Sequence, residues 1–244
     1  MDRLGAEHPP IDLASVDYTI RRPEVLNERY GHVLDYMARV ELEVDRNVLE
    51  LMTMLPDPPE VDRRFYAEVW HPQETRHGLI LDQLQVRIGR DNAAADLDHV
   101  SAKIKILGAL SHLSPVQDVV RMLYYLTGMS TERSAVLAYN LLHDGLRDLG
   151  ETALASTVVA QIRRQEPGHY AFYQLSARAH WARGHTVELM AATYDDLLCE
   201  VAALPDPAVT LPQHLRPDPA AHGRRLLAAF PDATARRATL SSGD

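Results

Sequence analysis

The sequence predicts an all-α fold, a bundle of four long helices with shorter helices beside it. Three observations predict this. Apolar residues recur at three- and four-residue steps over stretches of roughly 30 residues, which is the period of one helix face. No stretch alternates with the period of two that a half-buried strand needs. Proline and glycine fall between the stretches, where helices end. A helix of about 30 residues is a rod of about 45 Å, and rods of that length bury their apolar stripes by packing side by side.

Residues 1–22 are polar, contain Pro9 and Pro10, and read as a flexible N-terminal arm. From Pro23, the positions Val33, Met37, Val40, Val44, Val48, Leu51 and Leu55 make one helical stripe, stopped by the run PDPPE. A second helix is predicted over 60–89, with Trp70, Leu81, Leu84 and Ile88 on one face and Gly89 near its end. Pro72 lies inside it and predicts a kink or a junction. Residues 91–113 predict a third helix on Val100, Ile104, Leu107 and Leu110. Ser114 and Pro115 form an N-cap and first-turn pair for a helix reaching about Leu149, before Gly150. Further helices are predicted over 151–183 and 186–204. The bundle thus spans 23–204. Prolines 205, 207, 212, 217 and 219 make 205–244 an irregular C-terminal wrap and tail.

Composition excludes several classes of function. The 34 acidic residues outnumber the 25 basic ones, for a net charge of −9. Such a chain is poorly suited to nucleic acid, which requires basic stripes to displace counterions. One cysteine, Cys199, excludes an internal disulfide framework, an iron–sulfur cluster and a Cys-rich zinc site, and suits a reducing cytoplasm. No apolar run approaches the roughly 20 residues of a membrane span. The N-terminus lacks the basic-then-apolar layout of a secretory signal.

The pattern that carries chemistry is Glu-x-x-His. It occurs at Glu74/His77 and again at Glu166/His169. Residues three apart on a helix share a face, so each pair can grip one metal ion. Both pairs fall on apolar stripes, the first with Trp70, Leu81 and Leu84, the second with Val159, Ile162, Tyr173 and Ala177. An ionised carboxylate facing a core needs a compensating cation. Each pair is preceded by a glutamate at a matching distance: Glu132 stands 34 residues before Glu166, and Glu41 stands 33 before Glu74. Glu132 shares a face with Tyr125, Gly128, Val136 and Tyr139. Glu41 lies about 50° from the centre of its stripe and Glu43 about 110° away on the other side, which favours Glu41 and leaves Glu43 as the alternative. One Glu from each of two helices and Glu-x-x-His from each of two others is the ligand set of ferritin-like dimetal carboxylate proteins. The fold expected is therefore a ferritin-like four-helix bundle. Four carboxylates balance two divalent ions, and oxygen and imidazole ligands suit iron or manganese.

At these same residues the chain resembles the soluble acyl-acyl-carrier-protein desaturases. QETRHG at 73–78 resembles their E-E-N-R-H-G signature, and LDQLQVRIGRDN at 81–92 resembles the stretch that follows it. TERSA at 131–135 resembles their Q-E-R-A-T, and VTLPQHL at 209–215 their M-P-x-H-L segment. The similarity extends over roughly residues 25–235 in the same order. It implies a ferritin-like fold, a homodimer, and Glu41, Glu74, His77, Glu132, Glu166 and His169 as ligands of two iron ions. It implies an oxidoreductase that uses O₂ and electrons from a ferredoxin-type donor to place a double bond in an acyl chain on acyl carrier protein. Gly128, Ala135, Tyr125 and Tyr139 are then candidates to line the acyl channel. Arg63, Arg64, Arg163, Arg164, Arg224 and Arg225 are candidates to dock an acidic carrier.

The chain departs from that pattern in three places. Ala135 stands where the family has a threonine near the O₂-binding face. Gln165 stands where the family has an aspartate beside the second Glu-x-x-His. Pro167 and Gly168 inside that motif predict a kink or a π-bulge. These changes keep two alternatives open: a di-iron hydroxylase or N-oxygenase acting on a small molecule of secondary metabolism, and a metal-binding protein without catalysis.

Overall fold

The computed structural model describes residues 2–181, and every described element is helical. Residues Met1–Ser176 form one compact unit, which holds all six candidate ligands; Ala177–Asp244 form a second. The helix predicted at 186–204, the Pro-rich wrap, Cys199, Arg224 and Arg225 lie outside the described residues, as does the 204/205 boundary.

A short helix α1 (Asp2–Glu7) precedes a 3₁₀ turn at Leu13–Ser15. Helix α2 (Pro23–Leu42) opens with Pro23, whose missing N–H costs nothing in a first turn. Glu43 separates it from α3 (Val44–Met54). The single predicted stripe is therefore two stripes of different phase. Along α2 the buried positions are Leu26, Gly31, Leu34, Met37, Ala38 and Glu41, whereas Val33 is exposed. Along α3 they are Val44 and Leu51.

The second predicted helix is built in three pieces. α4 (Glu60–Arg64) runs into a π turn at Phe65–Trp70 and then into α5 (His71–Arg87). The N–H of His71 bonds back five residues to the carbonyl of Tyr66. Pro72 thus marks a junction, as the sequence predicts.

The third predicted helix is shorter than expected. Residues 90–101 are irregular, and α6 spans only Ala102–Ser111. Side chains capture the backbone here: Asp82 accepts from the N–H of Ala93 at 2.6 Å and from Asn92 Nδ2 at 2.7 Å, and Glu43 accepts from the N–H of Asp96. Such bonds compete with helix formation despite three consecutive alanines. Ser101 caps α6 by accepting from the N–H of Ile104.

Helix α7 (Ser114–Asp148) is the longest described element at 35 residues, about 52 Å. Its flanking residue is Leu113 rather than Ser114, one position before the predicted cap. Gly150, at φ 78°, ends it. A three-residue turn, α8 (Thr152–Leu154), and a π turn at Ala155–Val159 lead into α9 (Ala160–Trp181).

Pro167 lies within α9, and the π turn sits upstream of it, so the bulge predicted at Pro167 is displaced. The reason is the motif itself. A regular turn keeps residues 166 and 169 on one face, and an extra residue between them would separate the pair.

Helix α2 packs along α5, α3 against α6, and α6 against α7, which also meets the π turn before α9. An aliphatic core runs between α2, α5, α7 and α9, with Leu26, Leu34, Ala38, Leu81, Leu84, Leu146, Val158 and Ile162 buried in it. The N-terminal segment, expected as a flexible arm, is tied down along its length. Ile11 is buried; Asp17 N–H donates to Thr157 Oγ1; and the N–H groups of Arg21 and Arg22 donate to the buried Glu151 carboxylate at 2.9 and 2.8 Å. No described helix is long and apolar enough to cross a membrane.

Candidate metal centre

All six ligands proposed from spacing converge in the bundle interior. α2 brings Glu41, α5 brings Glu74 and His77, α7 brings Glu132, and α9 brings Glu166 and His169. They fall into two groups whose ligand atoms lie within 4.8 Å of one another: Glu41, Glu74, His77 and Glu166; and Glu74, Glu132, Glu166 and His169. Glu74 and Glu166 belong to both groups.

Both imidazoles turn Nδ1 inward. His77 Nδ1 lies 3.2 Å from Glu166, 3.6 Å from Glu74 and 3.8 Å from Glu41. His169 Nδ1 lies 2.8 Å from Glu74, 3.6 Å from Glu132 and 3.8 Å from Glu166. The outward nitrogens are held by amides in a crossed pattern. His77 Nε2 donates to Gln165 Oε1 at 2.6 Å, and His169 Nε2 donates to Gln73 Oε1 at 2.7 Å. Each Gln directly precedes the Glu of the opposite motif. Both motifs therefore read Gln-Glu-x-x-His, and each supplies the support for the other's histidine. A neutral amide fills a place that needs only a hydrogen-bond acceptor.

The fit of a cation pair rests on the buried atoms left over. Nδ1 of both histidines and the Glu74 and Glu166 oxygens nearest them are buried with no hydrogen-bond partner beyond one another, and these pairs form only if Nδ1 carries a proton. Four such atoms around one point are costly unless a metal cation or protons take them. These Glu and His groups could hold a metal ion. Metal ligation needs the neutral imidazole with a bare Nδ1, and the crossed amides favour that tautomer.

In the cluster itself, shifted proton affinities take over the role of a cation. Burial pushes Glu41 well above the usual carboxylate range, helped by the charge of Glu74. Burial likewise pushes Glu132 up to about 8, against the opposing pull of His169. Burial also acts on Glu74, but a hydrogen bond with Glu41 and the charge of His169 outweigh it and hold Glu74 well below that range. Glu166 is lowered as well, its two histidine neighbours overcoming burial and the charge of Glu74. Both histidines rise well above their ordinary value, because the surrounding carboxylates outweigh burial. Without metal, protons do the neutralising: two imidazolium ions face two carboxylates, and two acids stay protonated.

Comparison with family models, curated proteins and solved structures finds no match to this chain. The site must be read from its own residues.

Glu43, the alternative to Glu41, turns away and pairs with Arg46 at 2.6 Å. The break in the helix at Glu43 sends the two acids in different directions. The four candidate channel residues are engaged by protein. Tyr139 donates to Glu41 Oε1 at 2.5 Å. Tyr125 donates to Asp62 Oδ2 at 2.6 Å. A Cβ on Gly128 would stand 2.3 Å from the Tyr173 ring, so the glycine admits that ring. Ala135 packs against the aliphatic core. Of the basic docking candidates, Arg63 pairs with Glu60 at 2.8 Å and Arg64 with Glu68 at 2.9 Å, so both are neutralised locally. Arg164 is exposed and Arg163 partly so.

Sequence reasoning missed three contributors. Gln73 was visible as the counterpart of Gln165, once the two motifs are laid over each other. Trp70, assigned to the core stripe, donates its indole N–H to Glu132 Oε1 at 3.2 Å. Tyr66 joins a buried hydroxyl chain, receiving from Tyr124 and donating to Tyr173 at 2.9 Å. Burial raises all three of these hydroxyls, so they stay protonated. These contacts join residues about 50 to 110 positions apart, and no local pattern encodes them.

Proposed function

We propose that the chain is a ferritin-like di-iron, O₂-dependent oxidoreductase of the acyl-acyl-carrier-protein desaturase type. The observation that carries the reading is the pair of overlapping ligand groups with Glu74 and Glu166 in common, which supports a pair of adjacent ions. The oxygen and nitrogen donor set suits iron, with manganese as the other candidate. When bound, a pair of ferrous ions would supply O₂ activation and the two-electron oxidation that removes hydrogens from adjacent carbons.

The chain's own residues have separable tasks in this scheme. Glu74 and Glu166 would contribute to both ions, and with Glu41 and Glu132 they would supply the four negative charges that balance two divalent ions. Glu41 and Glu132 each complete one site, steadied by Tyr139 and Trp70 respectively. Gln165 and Gln73 keep the histidines facing inward. The buried aromatic residues Phe65, Tyr66, Phe172 and Tyr173 keep water from the His169 side. The substrate would be an acyl chain on acyl carrier protein, and the electron donor a ferredoxin-type protein. A homodimer belongs to the same reading.

Two observations favour a second reading, a di-iron hydroxylase or N-oxygenase. Ala135 offers no hydroxyl, and both histidines rest on neutral amides. The test is direct. Purified chain is loaded anaerobically with ferrous iron, reduced, and mixed with O₂ and acyl-carrier-protein thioesters. The product mass decides: loss of two hydrogens supports desaturation, and gain of one oxygen supports hydroxylation. No iron uptake, or iron unchanged in His169→Ala, would overturn both.

A further inference from the structure

The N-terminal segment reaches the centre from outside. The amide nitrogen of Gln73 donates to the carbonyl of His8, and that of Gln165 donates to the carbonyl of Pro9 at 2.6 Å. These are the two amides that hold the two histidines, and the carbonyls belong to consecutive residues. A carbonyl can only accept, so each amide must turn its NH₂ toward the segment and its oxygen toward the imidazole. The imidazole must then donate from Nε2, which leaves Nδ1 to face the interior.

Two further contacts seat the segment. Ile11 is buried in the aliphatic core. A Cβ on Gly168 would stand 2.7 Å from a Leu4 methyl, so the glycine within the second motif makes room for α1.

We propose that residues 2–12 are a positioning strap of the metal centre: the carbonyls of His8 and Pro9 orient both glutamine amides and through them fix the tautomer of both ligand histidines. Neither Gln73 nor Gln165 touches metal or substrate in this scheme, and the strap lies one bond further out. One short segment therefore governs both halves of the site at once. The inference rests on the dimetal reading for its consequence, and on the strap's own hydrogen bonds for its geometry.

Two measurements test it on the full chain. In the first, cobalt(II) is the probe, because its paramagnetism shifts the Nε2–H protons of Nδ1-bound histidines away from all others. The unaltered protein should show two such exchangeable proton resonances in water. Ile11→Asp leaves every ligand and both amides in place but unseats the strap. It should lose both resonances to solvent exchange and bind cobalt about tenfold or more weakly, the usual size for an outer support of a metal ligand. Resonances and affinity unchanged in a folded Ile11→Asp protein would overturn the proposal.

The second measurement needs no metal. In the Gln73→Glu/Gln165→Glu double variant a carboxylate still accepts from each histidine but cannot donate to His8 or Pro9. Amide hydrogen exchange over residues 2–12 should accelerate at least about tenfold while the bundle keeps its protection. Unchanged exchange there would overturn the strap. If the unaltered chain takes up no cobalt, the dimetal reading and the positioning role both fall, and the exchange measurement still decides whether the amides hold the segment.

Discussion

The two halves of the centre have the same ligands and different surroundings. The α2/α5 half, with Glu41, Glu74 and His77, sits against the aliphatic core of Leu34, Ala38, Leu81 and Leu84. The α7/α9 half, with Glu132, Glu166 and His169, faces aromatic rings. Phe65 lies edge-on to His169 at 6.0 Å and stacks on Phe172 at 3.6 Å; Trp70 packs on Tyr66 at 5.5 Å. Each half also enters its motif through a π turn, yet at different distances from it. Two Gln-Glu-x-x-His motifs can thus be chemically matched at the ligands and unmatched one layer out. Both acids are pushed above the carboxylate range by burial, Glu132 to about 8, and each accepts from a different outer donor, Glu41 from Tyr139 and Glu132 from Trp70 at 3.2 Å.

The largest expected effect comes from the residues the halves share. Glu74→Ala or Glu166→Ala removes a ligand from both sites, and metal content should fall from two ions per chain to near none by elemental analysis. Retention of one ion would mean that the carboxylates are not shared. Glu41→Ala and Glu132→Ala should each cost one ion and leave the other. Identical complete loss in both would erase the distinction between the halves.

Next comes pH. Metal-free, the cluster holds protons on His77, His169, Glu41 and Glu132, whose values are all raised. Ligation needs all four groups deprotonated. Metal therefore competes with protons: affinity falls as pH drops and rises as pH climbs through about 8, the value for Glu132. Calorimetry in buffers of different ionisation enthalpy should find net proton release when divalent ions bind at pH 7. Release near zero would refute the charge pattern.

The smallest effects separate the outer donors. Tyr139→Phe removes a short bond to a carboxylate that must be ionised to bind metal. It should weaken one ion by about tenfold, or about 1.4 kcal/mol. Trp70→Phe removes a longer bond and should weaken the other ion by less. Stepwise cobalt titration resolves the two, and equal losses would make the surroundings irrelevant.

Much of the centre could be read from spacing alone. Glu-x-x-His on an apolar stripe states its own problem, because an acid facing a core needs a cation. Helix phase favoured Glu41 over Glu43 without closing the choice, since the break between α2 and α3 falls at Glu43 itself. The spacing of Val100, Ile104, Leu107 and Leu110 predicts a helix over 91–113, while the capture of the backbone at Ala93 and Asp96 by Asp82 and Glu43 depends on distant side chains. The Pro9–Pro10 pair suggested a loose arm, because nothing local announces that two carbonyls will find amides more than 60 residues away.

By itself, then, the sequence determined that the described chain is helical, which faces are apolar, and that four acids and two histidines share those faces. These are properties of period and polarity, and they are local. Tertiary structure alone decided that the two motifs exchange their histidine supports, that Tyr139 and Trp70 hold opposite acids, and that residues 2–12 close over both. Those follow from which helix lies beside which, and packing sets that only when the whole bundle forms.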